Sequence, residues 1–238
     1  METVFPVLAP GRVHRWGGAT LVVARRAVLD RVPSWSPLPM LSRAEQDLFH
    51  ALPPRRQGEW GAGRLLAKCL VADAAVMPVT EIEILPRADG SPEVSVGGGP
   101  VAVYQISISH TAHHVAVALA SGAVGVDVCE TGAAAAVRRA ADHVLTEEER
   151  PVIPDRPEFL CAAWALKEAA IKADRDSLFG EAPRRIRILG LTPPALDGRR
   201  RAEVRRTGTA VLALVLAAEA TPLEDVETLD RVVTKPLN

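Results

Sequence analysis

Aromatic side chains make up only 4% of this sequence, and its three cysteines, Cys69, Cys129 and Cys161, are far apart with no C-x-x-C spacing. An odd cysteine count without a framework argues against a disulfide scaffold, and reduced thiols in a cytoplasmic protein are expected. No uninterrupted apolar run reaches the ~18 residues a membrane helix needs, and no basic-then-apolar leader precedes a small-residue cleavage site. The chain is therefore expected to be soluble and intracellular. Excess charge is missing too. At a formal −1 the sequence offers no global case for binding nucleic acid or an anionic membrane. The clusters Arg184-Arg185 with Arg187, and Arg199-Arg200-Arg201, read as solvated loop or strand charges. The triplet Gly97-Gly98-Gly99 is followed by neither a helix nor G-K-[ST], so no phosphate-cradling loop is expected there.

What is present is an ordinary globular composition. About half the residues (48%) are apolar, dominated by Ala, Val and Leu, and 238 residues suffice for one large domain or two compact ones. Ala19–Ala24 reads as a strand, followed by a Pro-rich stretch around Pro33, Pro37 and Pro39. Ser42 with Glu45 forms a capping-box pattern opening a helix that ends near Pro53-Pro54. A longer helix is expected over residues 55–75, from the spacing of Trp60, Leu65, Leu66, Cys69 and Leu70. Ile82–Leu85 and Glu93–Val96 flank the turn Ala88-Asp89-Gly90-Ser91-Pro92 as a hairpin. Gln105–Ser109, Val115–Ala120 and Val124–Val128 read as strands. The second half partly repeats this order: helices over 133–143 and 159–173, a second capping box at Thr146 and Glu149, and strands over 185–189, 202–206 and 211–217. Two α+β halves meeting near Ser121 are expected, residues 1–121 and 122–238.

Three segments carry chemistry. Gly125-Val126-Asp127-Val128 places an acid on a β-branched strand, where Asp127 and Cys129 share one face and Val126, Val128 and Glu130 the other. Trp164 to Lys172 places Glu168 and Lys172 four residues apart on one helical stripe, with Trp164 a turn earlier. Ile106-Ser107-Ile108-Ser109-His110 puts both serines on one strand face and ends at a histidine. Read singly, Asp127 serves equally as a solvated strand-end acid, Glu168–Lys172 as a surface helix pair, and His110 as a structural residue. Read together, two acids from a strand and a helix can hold a hard divalent cation while a lysine beside them meets a phosphate, which points to phosphate-ester chemistry.

Ser107-Ile108-Ser109-His110, Gly125-Val126-Asp127-Val128 and Trp164-Ala165-Leu166-Lys167-Glu168 with Lys172, in this order, resemble the 4′-phosphopantetheinyl transferases of the longer, surfactin-synthetase-activating type. Gly63-Arg64 and Arg87-Ala88-Asp89-Gly90-Ser91-Pro92 are weaker matches, and the resemblance spans about residues 42–217. It implies an α+β fold of two similar lobes in a pseudo-twofold arrangement, each a small, mainly antiparallel sheet packed with a long helix. It also implies a monomeric enzyme that transfers the phosphopantetheine arm of coenzyme A to a serine of an apo acyl- or peptidyl-carrier protein, releasing adenosine 3′,5′-bisphosphate. By that resemblance Asp127 and Glu168 would bind Mg²⁺, and Lys172 would neutralise the pyrophosphate. Ser109 and His110 would contact phosphates of coenzyme A, and Arg87, Gly90 and Ser91 would line the nucleotide. Arg64 and Lys68 would contribute charge. Glu168, or a water it orients, is the expected base toward the carrier serine.

Two positions depart from the family's pattern. Cys129 stands where a second acid is common, and a thiol is a poor partner for Mg²⁺; water is expected to fill the place. Ser91 stands where a lysine is usual. A coenzyme A-binding regulator without catalysis, or a structural domain of a larger synthase, are the competing readings. Residues 133–139, with Arg138 and Arg139, are expected carrier contacts by position alone.

Overall fold

The computed structural model describes residues 5–32, 36–175 and 182–217; Pro33 of the Pro-rich stretch lies outside them. In chain order the elements are β1 (Val13–Trp16), β2 (Ala19–Arg25), α1 (Arg26–Leu29), α2 (Arg43–Ala51), α3 (Pro54–Ala75), β3 (Ile82–Pro86), β4 (Pro92–Val96), β5 (Gly99–Pro100), β6 (Gln105–His110), β7 (His114–Ala120) and β8 (Val124–Glu130). There follow α4 (Ala134–Val144), α5 (Pro157–Asp174), α6 (Ala182–Arg185), β9 (Ile188–Leu191), β10 (Pro194–Leu196), β11 (Arg200–Thr207) and β12 (Ala210–Ala217).

Alternation along β7 explains the layering. Val115, Val117 and Leu119 point to one face and pack with Leu66 and Leu70 of α3. Ala116, Ala118 and Ala120 point to the other and meet Val126, Val128, Leu212 and Leu214. Two larger sheets run β1-β2-β7-β6 and β11-β12-β8, β3-β4-β5 and β9-β10 form two smaller ones, and every ladder is antiparallel. On its far face the second sheet presents Val211, Ala213 and Val215 to Leu166, Ala169 and Ala170 of α5. The result is helix, sheet, sheet, helix. Each Val or Leu so enclosed contributes about 1.5–3 kcal/mol, and the alanines let the two sheets approach closely.

The sheets are joined at one edge by side chains rather than by a ladder. β8 is an edge strand, and its outward N–H groups need acceptors. Val126 N–H donates to Ser107 Oγ (3.0 Å) and Val128 N–H to Ser109 Oγ (3.2 Å). The S-x-S pattern on β6 is thus a latch across the seam.

Both halves contain the same buried tie. The Ser42–Glu45 capping box forms as expected. Glu45 also pairs with Lys68 of α3 (2.6 Å, both fully buried) and accepts from Ile84 N–H. In the second half Glu149 pairs with Lys167 of α5 (2.6 Å) and accepts from Ile188 N–H (2.7 Å). The expected box at Thr146 gives a 3₁₀ turn rather than an α-helix, although Thr146 N–H does donate to Glu149 (2.7 Å). The strand expected from residue 185 begins instead at Ile188. The preceding residues coil so that Pro183 and Ile186 carbonyls accept from Lys167 Nζ, a demand that strand pairing could not meet.

Candidate active site

Gly125 sets the site's geometry. A Cβ there would stand 1.8 Å from the Ala169 carbonyl oxygen and 2.7 Å from Ala173 N, so only glycine lets α5 lie directly on β8. That close approach brings Asp127 beside Lys172, whose Nζ lies 2.6 Å from Asp127 Oδ1 and 3.3 Å from the Val126 carbonyl. Ser109 Oγ donates to the same Oδ1 (2.7 Å). Asp127 is buried with Oδ1 doubly hydrogen-bonded, while Oδ2 takes no bond from the described residues.

Glu168, half-buried one turn before Lys172, makes neither a hydrogen bond nor an ion pair among the described residues. Burial and the neighbouring Asp127 carboxylate push its carboxyl up to about 7, against the opposing pull of Lys172. Two coupled carboxylates, one with an open oxygen and the other without a partner, fit a hard divalent cation that takes one or two carboxylates. Cys129 does not join them. It is buried, and its Sγ and that of Cys161 both face the Glu130 carbonyl oxygen (3.8 and 3.2 Å); interaction with the Cys161 thiol, then burial, raises its pKa. Glu130 is engaged elsewhere, by Thr111 and His114. Among the described residues no group of three His, Cys, Asp or Glu could hold a metal ion, which leaves the two-acid pair.

Lys172 also lines a cavity of about 760 Å³ between α3, the β3–β4 hairpin, β6 and α5. Arg64, Arg87, His110 and Arg175 share its wall with one carboxylate, Asp89. Arg64 lies 4.6 Å over the Trp60 ring and is buried, with Nε and Nη1 lacking a partner among the described residues. Burial lowers its pKa to about 10 despite Glu45. Burying guanidinium N–H groups without an acceptor is costly. His110 stands 3.6 Å from Glu59, and burial, aided by Arg56, Lys172 and Arg26, holds its pKa below the ordinary value. Arg87 is braced by Glu93 (3.2 Å) and the Pro92 carbonyl (3.1 Å). Gly90 turns at φ +82°, and the Ser91 hydroxyl donates to Asp89 (2.6 Å).

The structure therefore gathers Arg64, Arg87, Gly90, Ser91, His110 and Lys172 around one cavity, with Asp127 and Glu168 beside Lys172. Lys68 is the exception. Its ammonium is fully buried against Glu45 and lies off the cavity wall, so it serves the core instead of contributing charge to a ligand. Ser109 also has its hydroxyl committed, to Asp127 and Val128, and does not line the cavity.

Residues 123–206 match the 4′-phosphopantetheinyl transferase superfamily. No curated protein matches the chain. The matched segment carries Asp127, Glu168 and Lys172, and it supports a transferase acting in phosphopantetheine transfer. The mixed helix and antiparallel sheet content fits the α+β fold of that superfamily. No described helix is long and apolar enough to cross a membrane.

Trp60, Glu59, Gln105 and Arg175 were not singled out as site residues by sequence. Trp60 read as a core position of α3. Arg175 lies three residues beyond Lys172, almost one turn further along the same stripe, which is the signal that could have found it; its guanidinium bonds Gln105 across the cavity.

Proposed function

We propose that this chain is a two-lobed transferase of the surfactin-synthetase-activating type, its halves related by a pseudo-twofold, that moves the 4′-phosphopantetheine arm of coenzyme A onto a serine of an apo acyl- or peptidyl-carrier protein. Mg²⁺, held by Asp127 and Glu168, would supply charge neutralisation at the pyrophosphate. The observation that carries the reading is Lys172, paired with Asp127 and one helical turn from Glu168, on the wall of a large cavity that carries four further basic side chains.

In this reading the nucleotide lies under the β3–β4 hairpin, with Arg87 alongside and Gly90 allowing the backbone to come close. Arg64, His110 and Arg175 meet phosphate oxygens. The serine hydroxyl attacks the phosphorus bearing the pantetheine arm; a serine O–P bond forms, the bridging P–O bond breaks, and adenosine 3′,5′-bisphosphate leaves. The serine proton passes to Glu168 or to a water that Glu168 orients. Lys172 neutralises charge on the departing phosphate, the form of help phosphoryl transfer chiefly needs. The chemistry suits a cytoplasmic enzyme supporting polyketide, nonribosomal peptide or fatty acid synthesis.

The test is direct. Incubation with coenzyme A, Mg²⁺ and apo carrier proteins should add ~340 Da to a carrier, the mass of the phosphopantetheine group. Lys172→Ala should slow this by about 10²–10³-fold. Coenzyme A binding without mass gain on any of a panel of carriers would establish the regulator instead.

A further inference from the structure

A second cavity, of about 460 Å³, lies at the opposite end of β8. The first cavity touches Ala123 and Val124, where β8 begins. The second is walled by Arg25 and Arg26 at the end of β2, His113 and His114 at the β6–β7 turn, and Thr209 at the β11–β12 turn. Asp30 is its one carboxylate and forms no ion pair with either arginine. The Arg25 guanidinium, close over Gly208, has no ion-pair partner among the described residues. Among the described residues Arg26 donates to the Ala112 carbonyl (3.3 Å), packs its guanidinium against Gly58 of α3, and has a buried Nε with no partner.

The floor is more specific than the rim. Glu130, at the end of β8, accepts from Thr111 Oγ1 (2.7 Å) and Thr209 Oγ1 (3.1 Å) and faces His114 Nδ1 (2.7 Å). Burial alone would raise the Glu130 carboxyl, but these hydrogen bonds outweigh it and hold the group ionised. An ionised carboxylate only accepts, so His114 Nδ1 carries a proton and donates. The other ring nitrogen, Nε2, is buried on a residue 3% exposed, has no partner, and belongs to a side chain on the cavity wall.

We propose that this cavity is a second ligand site, taking a small oxyanion of the phosphate class against the Arg25 and Arg26 side chains, with His114 on its inner wall. Knotting the β6–β7 turn to the ends of β8 and β12 accounts for Glu130, Thr111 and Thr209. It leaves two guanidiniums without counter-charge in a concave wall, and these the oxyanion supplies. The site does not depend on the transferase reading.

The full chain, titrated with inorganic phosphate and followed by NMR of its histidine rings, tests the assignment. His114 should show a saturable shift of its ring signals. Replacing both arginines at the rim (Arg25→Gln with Arg26→Gln) should weaken it at least about tenfold. Arg87→Gln, on the hairpin at the first cavity, should leave the His114 shift unchanged. A His114 signal unmoved well above about 1 mM phosphate, or moving equally in the double arginine variant, overturns the site. Movement caused by an acidic carrier domain but not by phosphate also overturns it, in favour of a protein-docking surface.

Discussion

A carboxylate without a hydrogen bond, half-buried beside a second carboxylate, is costly unless something neutralises it, and Glu168 is in that position. Its folded-state pKa of about 7 exceeds the ordinary 4.5, so the folded protein holds this proton more tightly than the unfolded chain does. The associated stability is fully present below about pH 4.5 and is lost as pH rises through about 7. In chelator, Glu168→Gln should therefore melt above the wild type at pH 8 by about 2–4 °C, what ~1 kcal/mol does in a chain of this size. The advantage should shrink as pH falls and be gone below about 4.5; if it persists there, ionisation of Glu168 is not its source. Cys129 poses the complementary question. Because its thiol faces Cys161 and the Glu130 carbonyl rather than Glu168, Cys129→Glu should bury an unpaired charge, cost about 3–5 kcal/mol and leave the Mg²⁺ requirement unimproved. Thermal melts alongside a Mg²⁺ titration would show this, and a tighter Mg²⁺ response in the variant would place residue 129 in the metal shell after all.

At the scale of elements, the packing of α5 on β8 decides the site. Gly125→Ala drives a Cβ into helix backbone, which cannot yield as a flexible side chain would. The expected outcome is a loss at or above the upper end of about 1–3 kcal/mol, with α5 displaced and transfer lost even in the folded fraction. Chemical denaturation with a coupled activity assay checks both parts. The helix also shows why neighbouring lysines differ. Lys172 faces Asp127 and the cavity, whereas Lys167, five residues earlier, is wholly inside, tied to Glu149 and the carbonyls of Pro183 and Ile186. Lys167→Met should cost about 3–5 kcal/mol by stranding Glu149, while the protein that remains folded keeps its transfer rate. Adding Glu149→Gln should recover part of the stability. A fall in the rate of the folded fraction would move Lys167 into the chemistry.

At the scale of the molecule, the two halves share a core. Leu21, Val23, Ala116 and Ala118 of one sheet close over Val126, Leu212 and Leu214 of the other, and the Ser107 and Ser109 latch satisfies β8 along the seam. Residues 1–121 and 122–238 expressed separately should fail to give cooperative unfolding, because each would expose an apolar sheet face to water. Mixing the fragments should restore a single transition in circular dichroism. Independent cooperative folding of either fragment would show that the shared core is dispensable.

Much of this was legible along the chain. Strict alternation in Val115–Ala120, the Ser42–Glu45 box, the hairpin turn at Asp89-Gly90 and the four-residue spacing of Glu168 and Lys172 are local patterns, and local sterics and hydrogen bonding enforce them. These fixed the element types, the α+β class and the candidate acids. What a charged side chain faces is different, because that depends on residues brought in from elsewhere in the fold. Lys68 and Arg64 lie four apart on one helix, yet one is paired to Glu45 in the core and the other is open to a cavity. Ser109 reads as a phosphate contact until β8 arrives beside it and takes its hydroxyl. The sequence by itself determined which groups were available for phosphate chemistry. Only the tertiary structure decided which kept their charge for a ligand, because a buried charge is spent on whichever opposite partner the packing sets nearest.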